Sequence, residues 1–236
     1  MKHSVLHFLW SGAIGGAPRA VYQLVREQSA RDEWRVGIAF GRAQGTYAQM
    51  LRELGCEVID LDMRSGADIL SALRHVGRLR EFDIHHFHAL EVGQIAASIP
   101  CRSATRVYTH RHGAYLEPVS ATKRLRRAIG GFALRRYIHA VSGNTQHATR
   151  FVVQRYRLQH LPATTTYNGI DFSLLQPTRG RQEVRAALEL AENLIVVGSS
   201  GALKHWKRFE LLIQLLRDIP TARVPVSYTH LTLPTN

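Results

Sequence analysis

Short apolar runs alternate along the chain with longer amphipathic segments. Runs of four to six residues predict buried β-strands, and they recur at Ser4–Leu9, Arg35–Phe40, Glu57–Asp62, Ile84–His88, Arg106–Thr109, Ile138–Val141 and Thr164–Tyr167. Between these runs, apolar residues recur at helical spacing, as at Val21, Leu24 and Val25. Because strands that alternate with helices pair in parallel, the pattern predicts an α/β fold with a doubly wound sheet.

The same pattern predicts where individual helices lie and how they end. Five apolar residues share one helical face before the fourth strand: Ile69, Leu70, Leu73, Val76 and Leu79. Gly55 stands where the C-cap of an earlier helix belongs. Ser142 and Asn144 are candidate N-caps for a helix over Gln146–Tyr156.

The chain divides into two α/β units of unequal length. The first is expected to close near Pro177, and the polar stretch after it, which contains Gly180, predicts a linker. A second unit begins with a strand at Leu194, continues with a helix over Phe209–Arg217 and reaches the opening of a strand at Ala222. We therefore assign residues 1–177 to a first domain, 178–193 to the linker and 194–225 to the start of a second domain.

The last residues of the chain, 226–236, form a separate case. They resemble the in-frame translation of a transposase-type sequencing adapter, and we exclude them from the fold. The alternative is a genuine strand with a coil end, since Val, Tyr and Thr favour strands. We favour the adapter, because a lone strand–helix unit cannot bury its own sheet. The expectation is a C-terminally truncated gene product that is genuine only to about Val224 or Pro225.

Composition indicates a globular protein with a strongly basic surface. Hydrophobic residues make up 45% of the chain and charged residues 21%, which argues against a disordered chain. The formal net charge is +13 and the pI about 10.5, so anionic partners such as phosphates, nucleic acid or an acidic membrane are favoured. Much of the charge lies between Lys123 and Arg136, where a solvated basic helix face is the alternative interpretation.

Cysteine use and targeting signals indicate the compartment. Cys56 and Cys101 lie in predicted core segments, which is typical of a reducing compartment without disulfides. The start has too short an apolar stretch for a secretion signal, and no apolar run is long enough to span a bilayer. These features predict a cytoplasmic protein.

Two glycine-rich turns each connect a strand to a helix. The first, Gly12–Arg19, contains Gly15 and Gly16, and the second, Gly198–Gly201, is followed by Lys204–Arg208. Such a turn aims free backbone N–H groups and the positive end of a helix dipole at one point. Two units of this kind facing each other would bind a nucleotide diphosphate from both sides. The first turn fits neither the dinucleotide fingerprint nor the P-loop, so a tight turn whose glycines only permit positive φ is the alternative.

Histidines cluster at the ends of two predicted strands. At strand spacing His86 and His88 share one face, and so do His110 and His112. Paired histidines can bind zinc or iron, but Asp83 is the only carboxylate close by in sequence, and we expect no metal site. The histidines are expected instead to line a cleft at the carboxyl ends of the strands, where open α/β sheets bind ligands. Without a nucleophile elbow or an activated cysteine, nucleophilic hydrolysis is poorly supported.

Lys207 lies at the entrance to the helix of the second unit. A lysine there adds a full positive charge to the helix dipole, which suits the stabilisation of a departing diphosphate. The alternative is a solvent-facing lysine, which is mildly unfavourable at a helix N-terminus.

Together these segments resemble a family 4-type glycosyltransferase of group 1, which has the GT-B fold. The segments that carry the resemblance occur in the family's order: Gly15–Arg19 (GG-A-x-R), Asp83–His88 (D-hydrophobic-V-H-x-H), Thr109–Gly113 (T-x-HG), His139–Ser142 (hydrophobic-V-S), Tyr167–Asp171 (NG-V/I-D) and Gly201–Lys207 (G-R-L-x-x-x-K). Ala202 departs from the family by replacing its usual arginine, and Arg208 replaces a glycine. The chain also ends before the family's paired-glutamate motif, so we expect the chain as written to be inactive or nearly so.

The resemblance implies an N-terminal Rossmann-like, acceptor-side domain followed by the first β–α unit of a nucleotide-sugar-binding domain. It implies transfer of a sugar from a nucleotide-diphosphate sugar to a hydroxyl with retention, without metal or other cofactor, in cell-surface polysaccharide or lipopolysaccharide synthesis. The implied catalytic residues are His112 and Lys207. The implied donor- and phosphate-binding residues are Gly15, Gly16, Arg19, Asn168, Gly201 and Lys207.

The expected partners are a nucleotide sugar and a glycan or lipid-linked acceptor, with no nucleic acid. The basic segment Lys123–Arg136 carries Leu125, Ile129, Phe132 and Ala133 on one side, a pattern suited to docking on anionic lipid. Docking would place the protein peripherally on the inner face of the cell membrane. The alternative is an ordinary amphipathic helix packed on the sheet.

Two other functions remain open at this point. A GT-B-fold nucleotide-sugar epimerase would use the same cleft without a separate acceptor. An orphan basic domain would bind nucleic acid or membrane with an affinity that falls steeply with salt. The sequence carries no nucleic-acid motif or stacking platform, which disfavours the second of these.

Overall fold

The computed structural model describes residues 3–111, 120–172, 176–196, 201, 208–211, 214, 222 and 223. The strands are β1 (His3–Ser11), β2 (Trp34–Arg42), β3 (Glu57–Asp60), β4 (Ile84–Phe87), β5 (Thr105–His110), β6 (Ala140–Gly143), β7 (Ala163–Thr165), β8 (Ile195–Val196) and β9 (Ala222–Arg223). The helices are α1 (Gly16–Ser29), α2 (Thr46–Glu53), α3 (Ile69–Leu73), α4 (Val76–Leu79), α5 (Val92–Ser98), α6 (Ala121–Tyr137), α7 (Gln146–Tyr156) and α8 (Arg181–Ala187).

The first seven strands form one parallel sheet in the order β3-β2-β1-β4-β5-β6-β7. The chain winds outward from β1 to β3, returns to β4 beside β1, and then winds outward in the other direction. The predicted doubly wound α/β sheet is therefore confirmed. Ligands of such sheets bind at the carboxyl edge near the point where the winding reverses, here between β1 and β4.

All seven strands predicted for the first domain lie in this sheet, but β6 begins two residues later than expected. The prediction placed its start at Ile138. The Ile138 N–H instead donates to Leu134 O at 3.2 Å, which extends the last turn of α6. The His139 N–H donates to Arg106 O of β5 at 2.8 Å, and the residue register with β5 begins at Ala140, opposite Val107.

Two helix predictions were wrong in detail. The apolar face from Ile69 to Leu79 forms two short helices, α3 and α4, and Leu70 is 75% exposed. The N-cap of α7 is Thr145, whose hydroxyl accepts the Ala148 N–H at 3.0 Å, and neither Ser142 nor Asn144 has this role. Ser142 lies inside β6, where its hydroxyl contacts Thr109 instead.

Alternating side chains of the strands fill one apolar core on each face of the sheet. One core contains Val5, Leu9 and Ile38, packed beneath α1 and α2, and the other contains Leu6 and Phe8. His7 has the same parity as Val5 and Leu9, so it lies on the α1 face. This placement puts a polar ring beneath α1, where it can form a hydrogen bond with a side chain of that helix.

The chain forms two compact units, residues 1–170 and 171–236. In the second unit, β8 and β9 pair in parallel with Ile195 opposite Ala222. The predicted helix over 209–217 and the tail 226–236 fall largely or wholly outside the described residues.

Candidate functional site

The first glycine turn joins β1 to α1 at the carboxyl edge of the sheet. Gly12 is buried against α2, and a Cβ added there would lie 2.3 Å from Ala48 N. Gly45, which follows β2, has a φ of 97°, and a Cβ added there would lie 2.6 Å from Ala13 N. These two glycines hold the turn at the carboxyl edge, because no larger residue fits at either position.

Gly15 and Gly16 differ from Gly12 because a Cβ would fit at both: at Gly15 it would make only an ordinary contact, 3.6 Å from Pro18 Cδ, and Gly16 lies in open space. Gly15 precedes α1 with a φ of 177°, which is extended backbone that any residue adopts, so positive φ does not explain the glycine here. A Cβ at Gly16 would meet no atom of the described residues within 4 Å, and Gly16 is exposed. The first turn of α1 therefore presents backbone N–H groups to solvent, with exposed Arg19 close behind them.

Three histidines from β1 and the end of β4 meet on the α1 face of the sheet. His7 and His88 are buried, and His86 is half-buried beside them. The His86 and His88 ring centroids lie 4.0 Å apart, and those of His7 and His88 lie 5.2 Å apart. The predicted common face of His86 and His88 is thus present. His7 joins them from a neighbouring strand, which the sequence pattern did not reveal.

Hydrogen bonds order this cluster into a chain that begins at Arg111. Arg111 Nε donates to His88 Nδ1 at 3.1 Å, and an Nε–H group can only donate. A neutral His88 then carries its proton on Nε2, which donates to His7 Nδ1 at 2.9 Å. His7 in turn donates from Nε2 to the side-chain oxygen of Gln28 on α1, at 2.8 Å. The network itself therefore assigns both ring tautomers.

Burial keeps the histidines of this chain uncharged. It lowers the pKa of His7 to about 4, with a further decrease from Arg111 and a partial opposing effect of the Gln28 hydrogen bond. Burial also lowers the pKa of His86 and of His88 well below the usual range, and Arg111 acts in the same direction. Near neutral pH the cluster consists of neutral rings next to one cation.

Arg111 is the functional candidate that sequence reasoning missed. It follows β5 directly, and its NH1 group donates to Asn168 Oδ1 at 2.6 Å. Asn168, a predicted donor-binding residue, is thereby brought next to the histidine cluster. Burial lowers the pKa of Arg111 to about 10, still well above neutrality. The sequence signal for Arg111 was its position as a charged residue at the carboxyl end of a parallel strand. Sequence reasoning instead singled out its two neighbours, His110 and His112.

The three histidines have the spacing of a possible metal site. One nitrogen from each lies within 4.8 Å of the others. A metal bound through His88 Nε2 would require the proton to move to Nδ1, where it would face the Arg111 N–H. The guanidinium would also repel the ion. The geometry therefore favours a hydrogen-bonded chain at this position over a metal centre.

Two other residues singled out in the first domain, His110 and Asp83, lie away from this cluster. His110 is buried and lies 3.2 Å from the Tyr108 hydroxyl through its Nδ1. Asp83 directly precedes β4 at the opposite edge of the sheet, where it accepts hydrogen bonds from Ser4. Gly201 belongs to the second unit and has a φ of 150°. His112 and Lys207 lie outside the described residues, so their roles stay predictions.

Helix α6 turns large apolar side chains toward solvent. Leu125, Ile129 and Phe132 are 63%, 45% and 56% exposed, whereas Ala133 is buried and does not belong to their side of the helix. The packed face contains Ala133 and Leu134, both buried in the core, and a Cβ on Gly130 would lie 2.9 Å from the Leu90 side chain. Helix α6 therefore packs one face on the core, as the alternative of an ordinary amphipathic helix expects, and it also exposes a separate apolar side.

Comparisons with known proteins identify similar sequences and folds. A sequence profile described as Glycosyltransferase Family 4 matches residues 14–174. No curated protein sequence matches the chain.

Among solved structures, Anabaena Alr3699/HepE in complex with UDP has 23% identity and a TM-score of 0.72, and the match covers 95% of this chain and 60% of that one. A glycosyltransferase from Rickettsia africae has 14% identity and a TM-score of 0.69, with coverages of 94% and 59%. The chain thus spans about 60% of the length of these proteins.

Proposed function

Because the chain belongs to Glycosyltransferase Family 4 and has the GT-B fold of its structural neighbours, we propose that the complete protein transfers a sugar from a nucleotide-diphosphate sugar to a hydroxyl, with retention. The observation that carries this proposal is the exposed first turn of α1 at the carboxyl edge of the sheet, where Gly16 leaves room for a ligand. Alr3699/HepE was solved with UDP and with UDP-glucose, which makes a uridine diphosphate sugar the first donor to test.

The chemistry requires a group that stabilises a departing diphosphate. The bond from the anomeric carbon to the phosphate oxygen breaks with its electron pair on that oxygen, the acceptor oxygen bonds to the same face of the carbon, and the hydroxyl proton passes to the departing phosphate. In the proposed mechanism, backbone N–H groups at Gly15 and Gly16 and the charge of Lys207 bind the diphosphate. His112 positions the donor sugar, and Arg19 contacts the acceptor or a phosphate.

The proposed reaction uses no metal ion and no other cofactor. Cationic side chains and helix N–H groups supply the charge stabilisation that a divalent ion would otherwise provide. The tautomers set by Arg111 support this view, because they leave the histidine cluster poorly suited to bind an ion. We further propose that residues 1–225 are a truncated part of the protein, and that donor selection lies mainly in the continuation.

The acceptor is proposed to be a glycan or lipid-linked glycan of cell-surface polysaccharide synthesis, met at a membrane. In the described part of the chain, no helix is long and apolar enough to cross a bilayer. Helix α6 offers a different contact, since exposed Leu125, Ile129 and Phe132 lie among exposed arginines such as Arg124 and Arg136. An apolar stripe flanked by cations fits the surface of an anionic leaflet on the cytoplasmic side.

The test begins with the source DNA downstream of the codon for Pro225. If the reading frame continues into further β–α units, the extended protein is assayed with a panel of nucleotide sugars and a glycan acceptor. We expect release of nucleoside diphosphate, a product with the donor's anomeric configuration, and the same rate after dialysis against EDTA. A new nucleotide sugar formed from donor alone would identify an epimerase instead, and no reaction with any donor would contradict the proposal.

A further inference from the structure

Arg111 carries a charge that its described surroundings do not neutralise. Its two hydrogen-bond acceptors, the His88 ring and the Asn168 amide, are both uncharged. Among residues 3–111, 120–172 and 176–196, no carboxylate forms an ion pair with it, and no carboxylate raises its pKa. Partial burial of a cation without an anion is unfavourable, so this arrangement leaves an anionic partner to be supplied.

The guanidinium is held in one orientation. His88 fixes the Nε end and Asn168 fixes NH1, while the second NH1 hydrogen and both NH2 hydrogens have no partner in the described part of the chain. His88 is itself held by His7, and His7 by Gln28 on α1. Neutral rings can orient a cation in this way without reducing its charge.

We propose that Arg111 binds a phosphate group of the substrate, and that His88, His7 and Gln28 are positioning residues that hold its guanidinium. The inference rests on the proposed function, and it identifies the residue of the first domain that binds the negatively charged phosphate. The planar fork of an arginine matches two phosphate oxygens better than a point charge does. Two substrates can supply that phosphate: the diphosphate of the donor and the phosphate of a lipid-linked acceptor.

Binding measurements separate the two sources. The chain and its Arg111→Gln variant are titrated with UDP and uridine as the donor pair, and with farnesyl phosphate and farnesol as the acceptor pair. We expect Arg111→Gln to weaken at least one phosphate probe about 10- to 100-fold, since hydrogen bonds to charged groups contribute about 1.5–3 kcal/mol. Binding of the uncharged members should not change. The probe that loses affinity identifies the source of the phosphate.

His85→Gln is the matched control. His85 is as buried as His88 and lies in β4, three residues before it, but its ring contacts Ser98 and the Leu79 carbonyl on the other face of the sheet. This variant should bind every probe like the wild type. Arg111→Lys, which keeps the charge and loses the fork, should lie between wild type and Arg111→Gln. Wild-type affinity of Arg111→Gln for both phosphates, or no phosphate binding by the wild type, would overturn the inference.

The positioning role has its own signature in the histidine tautomers. Imidazole ¹⁵N NMR should find His7 and His88 neutral and protonated on Nε2 in the wild type, with the preference at His88 reduced in Arg111→Gln. A His88 ring protonated on Nδ1 in the wild type would contradict the assignment.

Turnover measurements distinguish failure of this inference from failure of the proposed function. If the extended protein transfers sugar but the Arg111→Gln variant binds all probes normally, this inference alone is rejected. Arg111-dependent phosphate binding without transfer by the extended protein would reject the function alone.

Discussion

At the scale of single residues, buried neutral histidines connect the site to the stability of the fold. Burial lowers the pKa of both His7 and His85 to about 4, and lowers those of His86 and His88 well below the usual range. In the unfolded chain these rings titrate near their ordinary pKa of about 6.5. Between these values the unfolded state binds more protons, so stability must fall as the pH falls.

We predict that the free energy of unfolding decreases between pH 7 and pH 5. His7 and His85 should each contribute roughly 2 kcal/mol of the loss, and His86 and His88 should add to it. Burial raises the pKa of Glu91, which opposes the trend. The lowered pKa values of carboxylates such as Asp83 act only at lower pH. Urea unfolding at the two pH values measures the difference, and equal stabilities would show that these rings are not buried in the neutral form.

Residue-scale sequence reasoning worked where the information was local. The common face of His86 and His88 follows from strand spacing, and the structure has it. The contacts of Arg111 with His88 and Asn168 join residues 23 and 57 positions apart, which no periodicity reveals. His7 likewise reaches the cluster through strand pairing between β1 and β4.

At the scale of elements, the glycines of the first turn divide into structural and open positions. Gly12→Ala should lower the free energy of unfolding by about 1–3 kcal/mol, because the new Cβ would overlap the backbone of Ala48. Gly16→Ala should leave stability unchanged or raise it by up to about 1 kcal/mol, because the Cβ would enter open space in a helix. Denaturant unfolding of the two variants compares them directly. Equal losses would mean that Gly16 is needed for packing and not for a ligand.

Helix α6 makes a second element-scale prediction. Replacing Leu125, Ile129 and Phe132 together by serine should reduce binding to vesicles that contain phosphatidylglycerol by at least about tenfold, since each buried apolar side chain contributes about 1.5–3 kcal/mol. Leu70→Ser, at another exposed leucine, is the control and should bind like the wild type. Vesicle flotation measures both. Binding that is independent of anionic lipid, or unchanged in the triple variant, would exclude docking through this helix.

Element boundaries followed the sequence except where tertiary contacts decided them. Helix α7 has the predicted range, Gln146–Tyr156, but its N-cap is Thr145. Ser142 lies inside the sheet, where its hydroxyl is hydrogen-bonded to that of Thr109. In α6, Ala133 faces inward together with Leu134, against the prediction that it lies on the exposed side with Leu125. In both cases a neighbouring element changed the outcome.

At the scale of the whole molecule, alternating strands and helices were enough to predict the parallel sheet. The ordered motifs predicted the family to which residues 14–174 belong. Periodicity cannot reveal which residues bind substrate, because binding depends on what the carboxyl edge brings together from distant strands. The second unit, residues 171–236, is where the proposed contributions of Gly201 and Lys207 belong.

The central claim is that the carboxyl edge at the first turn of α1 receives a nucleoside diphosphate. Titration calorimetry of the chain with UDP and with uridine tests it most directly, alongside a Gly16→Val variant whose side chain fills the open space at that turn. We predict that UDP binds at least about tenfold more tightly than uridine, because its phosphates accept charge-assisted hydrogen bonds, and that Gly16→Val loses this difference while staying folded. Equal affinity for UDP and uridine, or undiminished UDP binding by Gly16→Val, would contradict the claim.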